Sequence, residues 1–356
     1  MTAPTTASRQ FDVLEARGAV EAALFDFLAD KAHGPDGPFI ETLLDVLQDF
    51  LDGRGKRVRP LYCCLGWCSV GNAPLSDEVM RAAAGLELFH TFALVHDDLI
   101  DRSDSRHNRP TAHHAFAARR SDMRAAWFGE SAAVLLGDLC EAWSAELLGD
   151  LGDGPGQAVA RQVVDCMRGE LVIGQYLDLL ASDDGCGSVE DALRVIHYKT
   201  TKYTVERPLQ IGVALAGGGQ DVLDACAAYA RPLGEAFQMY DDLEDVVVDG
   251  AEPGTDGSDL REGKRTVVLA LALQYARPEQ AERLRRLVGD PDLGPEGLAE
   301  VRGLIAATGA LGMVRQMVVE RRLEALAILD RAPFHPAAKD GLRHLTDLAV
   351  PGVEGW

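Results

Sequence analysis

Twice in this chain an apolar helical run ends in three aspartates spaced i, i+1, i+4. The first is His90-Thr-Phe-Ala-Leu-Val-His-Asp97-Asp98-Leu-Ile-Asp101, and the second is Phe237-Gln238-Met-Tyr-Asp241-Asp242-Leu-Glu-Asp245. On a helix, Asp97 and Asp101 stand about 40° apart, one turn along. Like charges so placed destabilise the helix, so the pattern asks for a cation. Magnesium suits: it is a hard ion that takes one or two carboxylates and leaves its other positions to water and substrate phosphates. A single cluster in an acid-rich chain reads as a solvated face or a helix end. Two clusters with the same apolar lead-in point to two metal-grade carboxylate faces, with a cavity between two helices and a polyphosphate bridging them.

Charge narrows the choice of partner. The 356 residues carry a net charge of −21, with no long Lys/Arg run. A nucleic-acid binder needs a basic stripe, so no nucleic-acid partner is expected. An acidic protein that handles phosphates must use metal ions and a few local bases. One set of bases is Lys56, Arg57 and Arg59 in the glycine-softened turn Asp52-Gly-Arg-Gly-Lys-Arg-Val-Arg-Pro60. It reads either as a diphosphate grip or as an ordinary exposed turn. The seven cysteines (63, 64, 68, 140, 166, 186 and 226) are irregularly spaced and complete no zinc site. They are expected to be small buried residues in a reducing cytosol. No signal peptide is expected in the polar first ten residues, nor a transmembrane segment anywhere, because no apolar run approaches 18 residues. A cytoplasmic location is the expectation.

Read in order, the chain is helical. Residues 1–10 are expected to be disordered, residues 11–350 to form one all-helical domain, and residues 351–356 to be a tail. Helices are expected over 11–32, 39–51, up to about 70, 76–101, 131–148, 157–180, from 189, 220–248 and 259–264, with three or four weaker ones after that. Ser76 and Ser188 are good N-caps, and Asp191 three residues after Ser188 resembles a capping box. The crowded Lys199-Thr-Thr-Lys-Tyr-Thr204, with Pro208 beyond, predicts a distorted or kinked helix that frees backbone carbonyls. Alternating β runs are missing.

These residues resemble the trans-isoprenyl diphosphate synthases. The resemblance runs from Gly55 to Lys264 and rests on a series of motifs. They are Gly-Lys-Arg-x-Arg-Pro at 55–60, His-x6-Asp-Asp-x-x-Asp at 90–101, and Arg106 with Arg109-Pro-Thr-x-His113. Further on come Gly-Gln-x-x-Asp at 174–178, Lys199-Thr200, Phe-Gln-x-x-Asp-Asp-x-x-Asp at 237–245 and Asp-Leu-Arg-Glu-Gly-Lys at 259–264. The resemblance implies an all-α orthogonal helical bundle around a central cavity, as a homodimer. It implies an enzyme that condenses isopentenyl diphosphate with an allylic diphosphate.

It also implies roles for named residues. Asp97 and Asp101, with Asp98 in the same cluster, would hold two Mg²⁺, and Asp178 would lie in their outer shell. Asp241, helped by Asp242 and Asp245, would hold a third. Arg106, Lys199 and Lys264 would grip the allylic diphosphate, while Lys56, Arg59 and His90 would bind isopentenyl diphosphate. Thr200 and Gln238 would face the reacting carbons. Phe92 beside the small Ala93, five and four residues before Asp97, resembles the geranylgeranyl-forming pattern of the family. A farnesyl or longer product is the alternative.

Two positions depart from the family pattern. His107 stands where a second arginine is usual, and Thr255 where a lysine is usual. Each loses a cation near a diphosphate, and Arg109 is expected to compensate for the first. A terpene cyclase and a non-catalytic partner subunit are the rival readings. The Lys56, Arg59 and His90 set argues against the first, and retention of both aspartate clusters against the second.

Overall fold

The computed structural model describes residues 11–52, 55–71, 74–106, 109–183, 187–247 and 257–351. Among them the regular structure is helical, apart from a two-residue antiparallel bridge, Ser105–Arg106 with Arg109–Pro110. The all-α class expected from the sequence is therefore the class observed. The helices are α1 (Val13–His33), α2 (Gly37–Leu51), α3 (Val58–Val70), α4 (Asp77–Ile100), α5 (Ala112–Ala117), α6 (Ala125–Gly149), α7 (Pro155–Asp183) and α8 (Val189–Val195). A π-helix, Ile196–Glu206, follows. Then come α9 (Arg207–Leu215), α10 (Gln220–Val246), α11 (Ser258–Glu262), α12 (Val267–Tyr275), α13 (Pro278–Leu287), α14 (Pro295–Thr308), α15 (Ala310–Arg331) and α16 (Pro336–Ala349).

Local chemistry sets the ends of these helices. The Ser76 hydroxyl accepts from the Val79 N–H at 3.4 Å, and Asp77 and Glu78 occupy the first turn of α4. There the helix dipole favours acids. Ser188 and Asp191 form a reciprocal capping box at the start of α8. Three expectations need correction. Five helices, not three or four, follow Lys264, and α15 alone has 22 residues. The segment 259–264 gives only the five-residue α11, which stops where Gly263 turns left-handed at φ 76°. Cys166 is exposed, although the other described cysteines are buried. Residues 1–10, Cys186, His107 and Thr255 lie outside the described residues.

The chain divides into two compact units. The first gathers Met1–Val164, Pro208–Gly219 and Phe334–Gly341. Its centre is α4, which packs against α1, α3, α5 and α6. Ala82, Ala83, Leu86, Leu88, Phe89 and Val95 are buried around its circumference, as expected of a core helix. Leu24, Leu47, Phe116 and Leu136 join Leu88 and Val95 in one apolar cluster. Each such side chain stabilises by about 1.5–3 kcal/mol on burial, so α4 is a rigid support for the aspartates at its end.

The second unit gathers Asp165–Arg207, Gln220–Pro333 and Leu342–Trp356. Here α10 is central and packs against α15, the π-helix and α12. Tyr229 of α10 is fully buried, and its hydroxyl lies 2.8 Å from the Thr346 hydroxyl and 3.2 Å from the Leu342 carbonyl. No single helix among the described residues is long and apolar enough to cross a membrane.

Candidate active site

In the first unit the aspartates close α4. Asp98 is 1% exposed, Asp97 is largely buried, and Asp101 caps the helix by donating its N–H to the Asp97 carbonyl at 2.8 Å. The two-residue bridge folds Arg106 back onto them. Its Nη2 lies 2.6 Å from Asp98 Oδ1 and 3.7 Å from Asp97 Oδ2, and its Nε donates to Asp98 at 2.8 Å. Arg109, expected to compensate for His107, donates to the Asp49 carbonyl at the end of α2, at 2.9 Å. His113, in the first turn of α5, sits beside the Thr111 hydroxyl at 3.2 Å. Burial and the neighbouring His114 lower its pKa.

The basic turn is built on a residue whose role the sequence did not reveal. Arg57 adopts a left-handed backbone, φ 50°, and is buried. Its guanidinium meets buried Glu87 of α4 at 2.6 Å and donates to the Leu51 carbonyl at 2.5 Å. Breaking such a buried pair costs about 3–5 kcal/mol, so the turn is pinned to α4, three residues before His90. This leaves Lys56 exposed and Arg59 and His90 half-buried. The turn is thus more than an ordinary exposed loop.

In the second unit, α7, the π-helix and α10 carry the remaining candidates. Lys199 Nζ donates to Asp178 Oδ2 at 2.6 Å. The Thr200 hydroxyl donates to Gln238 Oε1 at 2.8 Å, and Gln238 Nε2 donates to Asp242 Oδ1 at 2.9 Å. Lys264 Nζ lies 2.8 Å from Glu262 and 3.1 Å from Asp259. Asp241 is exposed, while Asp242 and Asp245 are buried. Burial, with Asp259 and Asp241 adding repulsion, holds the Asp242 carboxyl well above the usual carboxylate range. The distortion expected at 199–204 is real, and it is a full π-helix.

Among the described residues, no three His, Cys, Asp or Glu side chains converge into a ready-made metal site. The donor sets nevertheless fit a hard divalent ion. All are carboxylate oxygens, and a bound cation would offset the burial and the repulsion that raise Asp242.

The family model described as polyprenyl synthetase matches residues 40–304. The chain belongs to that family. It is a trans-prenyltransferase, a prenyl diphosphate synthase. It is 33% identical over 298 residues to the octaprenyl diphosphate synthase of Escherichia coli K12, covering 83% of this chain and 86% of that one. It is 32% identical over 317 residues to a short chain isoprenyl diphosphate synthase of Methanothermobacter thermautotrophicus, covering 87% and 90%. The crystal structure of a Corynebacterium glutamicum geranylgeranyl pyrophosphate synthase, complexed with isoprenyl diphosphate and magnesium, superposes with a TM-score of 0.89. The two are 35% identical, with 96% of this chain and 99% of that one covered.

The residues expected to set product length in this synthase lie on α4. The Phe92 ring stands 5.5 Å from that of Phe89 and 4.9 Å from that of His96. Phe92 is half-buried against the core cluster, with half-buried Ala93 beside it. Phe89 and His96 were not singled out from sequence, although their i−3 and i+4 spacing from Phe92 is a stripe signal. Val134 and Leu135 of α6 are exposed.

Asp242 yields a test of the electrostatics. Its folded pKa is raised, so the native state holds a proton that the unfolded state releases above about pH 3.8. Stability falls as pH rises from there toward the folded pKa. In metal-free protein, Asp242→Asn, which still accepts from Gln238, should therefore raise the melting temperature at pH 7. That gain should vanish as pH drops to the ordinary carboxylate range. Thermal denaturation across pH decides it, and an equal or lower melting temperature at pH 7 refutes the raised pKa.

Proposed function

We propose that this synthase condenses isopentenyl diphosphate with an allylic diphosphate, using three Mg²⁺ per active site, and that its main product is geranylgeranyl diphosphate. One observation carries the reading. Each cation assigned to the allylic diphosphate already stands against a carboxylate: Arg106 on Asp98, Lys199 on Asp178, and Lys264 on Asp259 and Glu262. In the Arg106–Asp98 and Lys199–Asp178 pairs, a carboxylate that would take metal and a cation that would take phosphate are thus held as mutual placeholders. The magnesium- and isoprenyl diphosphate-bound relative supports the same assignment.

The chemistry accounts for the residue types. The allylic C–O bond breaks and its electron pair leaves with pyrophosphate; the isopentenyl double bond attacks the resulting cation, and the proton then lost passes to the departing pyrophosphate. Magnesium, when bound, neutralises the leaving diphosphate as a Lewis acid. Asp97, Asp101 and Asp241 would hold it. Arg106, Lys199 and Lys264 add fixed positive charge where negative charge develops. Lys56, Arg59 and His90 hold the second diphosphate. Thr200 and Gln238, already hydrogen-bonded to one another, offer weak dipoles to the carbocation. Exposed apolar residues on α6 (Trp127, Val134, Leu135) and on α7 (Val172, Ile173, Tyr176) support a homodimer. Sedimentation showing only monomer at working concentration overturns that part.

Purified protein with isopentenyl diphosphate and each allylic primer tests the reaction. Chelator should abolish elongation, and Asp97→Ala or Asp241→Ala should each cost at least about 100-fold, the scale of losing one strong electrostatic stabiliser. Near-normal turnover in either variant removes the metal assignment.

Product length tests the wall. A packed apolar wall admits another isoprene unit only by displacing side chains, at about 1–3 kcal/mol. Phe92→Ala should therefore release products of twenty-five carbons or more, and Ala93→Phe should shift output toward farnesyl diphosphate. Chromatography of the products reads both. A wild-type distribution from Phe92→Ala means that Phe92 is not the floor.

A further inference from the structure

The π-helix that presents Lys199 and Thr200 is gripped at its far end by a residue outside every motif of the site. Glu170, on α7, accepts from Lys202 Nζ at 2.7 Å, from Arg207 Nε at 2.7 Å and from Arg207 Nη2 at 2.6 Å. All three side chains are largely buried, with between 13% and 18% of their surface exposed. Burial alone would raise the Glu170 pKa, but the hydrogen bonds from Arg207 and Lys202 outweigh it and lower the carboxyl below its ordinary value.

The spacing of the two bases is what makes this grip informative. Lys202 and Arg207 are five residues apart. On an α-helix, at about 100° per residue, they would point about 140° apart, too far for one carboxylate to hold both. In a π-helix, residues i and i+5 are joined by the backbone hydrogen bond and lie over one another. Here the Arg207 N–H donates to the Lys202 carbonyl. Glu170 therefore bridges the side chains of the same two residues whose backbones close a π-turn.

The rest of α7 reinforces this. Gly174 and Asp178 follow Glu170 at i+4 and i+8, on one face of the helix. Asp178 holds Lys199. A Cβ at Gly174 would lie 2.5 Å from the Lys199 backbone nitrogen, so the two helices touch there through their main chains. The wide winding has a cost within the segment. The Thr201 hydroxyl is buried with no hydrogen-bond partner among the described residues. On an α-helix it would have the i−4 carbonyl within reach.

We propose that Glu170 is a positioning residue of this synthase: by tying Lys202 to Arg207 across one π-turn, it keeps the helix in the wide winding that aims Lys199 and Thr200 at the allylic substrate. This rests on the prenyl-transfer reading of those two residues. Without the tie, Lys202 has Glu206 as its α-spaced partner, already 3.8 Å away, and the segment can rewind.

The test uses the whole protein and two readouts. In Glu170→Gln, which keeps the size and loses the charge, amide exchange without substrate should speed up by about tenfold or more across residues 196–207 and remain unchanged in α4 and α6. Turnover should fall by about 10- to 100-fold, the effect of ångström-scale misplacement, with a higher KM for the allylic primer. The KM for isopentenyl diphosphate should stay within about twofold of wild type. Glu170→Asp, which keeps the charge, should recover part of both readouts. Lys202→Met should reproduce a weaker form of the exchange change, and it decides the matter if Glu170→Gln fails to fold. Wild-type exchange across 196–207 in a folded Glu170→Gln overturns the proposal. So does a loss spread evenly over both substrates and all helices, because that is loss of stability alone. If the wild-type protein fails to elongate any primer, the prenyl-transfer reading falls, while the exchange experiment still judges the clamp.

Discussion

Carboxylates that repel one another dominate this molecule. The chain is strongly acidic, and its candidate site concentrates acid further, at the end of α4 and along the last turns of α10. Without bound cations the structure manages this repulsion with a few bases and one proton. Arg106 covers Asp98, Lys199 covers Asp178, Lys264 covers Asp259 and Glu262, and Asp242 is driven toward its neutral form. On the proposed reading, binding is an exchange of partners. Metal takes the carboxylates, and the bases so released turn to diphosphate. Neither half of the exchange is favourable alone, because each strands a charge in a partly buried place. Together they leave every charge matched.

That exchange demands rigid supports, and the fold supplies them. The core around α4 surrounds the helix and holds its terminal aspartates in place. On the other unit, the chain Thr200–Gln238–Asp242 runs from the π-helix into the second aspartate cluster. A change at the carboxylate is thereby felt by the hydroxyl proposed to face the reacting carbons. The π-helix sits at the start of this chain, which is why its winding carries so much consequence.

Much of this was legible in the sequence, and for definite reasons. The aspartate clusters, the Ser76 cap and the Ser188–Asp191 box are local patterns, and local patterns survive without tertiary knowledge. The distortion at 199–204 was visible because crowded β-branched residues and a nearby proline disfavour an α-helix. Its extent was not, because the π-winding is held by Glu170, which is 32 residues before Lys202 in the chain. Arg57 read simply as one of three bases in a turn. Only its left-handed backbone and its burial on Glu87 separate it from Lys56 and Arg59. The C-terminal helices were undercounted because Gly309, at φ 78°, divides α14 from α15 without any proline or polar loop to announce it.

Product length shows where overall similarity stops and local packing takes over. A relative named for an octaprenyl product and one named for a geranylgeranyl product are almost equally similar to this chain, at 33% and 35% identity. Whole-chain likeness therefore cannot rank the two. On the proposed reading, a tail meets only the few side chains beyond the aspartates. Here Phe89, Phe92 and His96 make a continuous aromatic stripe on α4, and each ring is braced by its neighbour. Swinging Phe92 aside would disturb both contacts at once. A braced ring resists a growing tail more than an isolated one does, because its displacement forfeits aromatic contacts of about 0.5–1.5 kcal/mol each in addition to the packing cost. The case for a short product thus rests on the support behind Phe92 as much as on Phe92 itself.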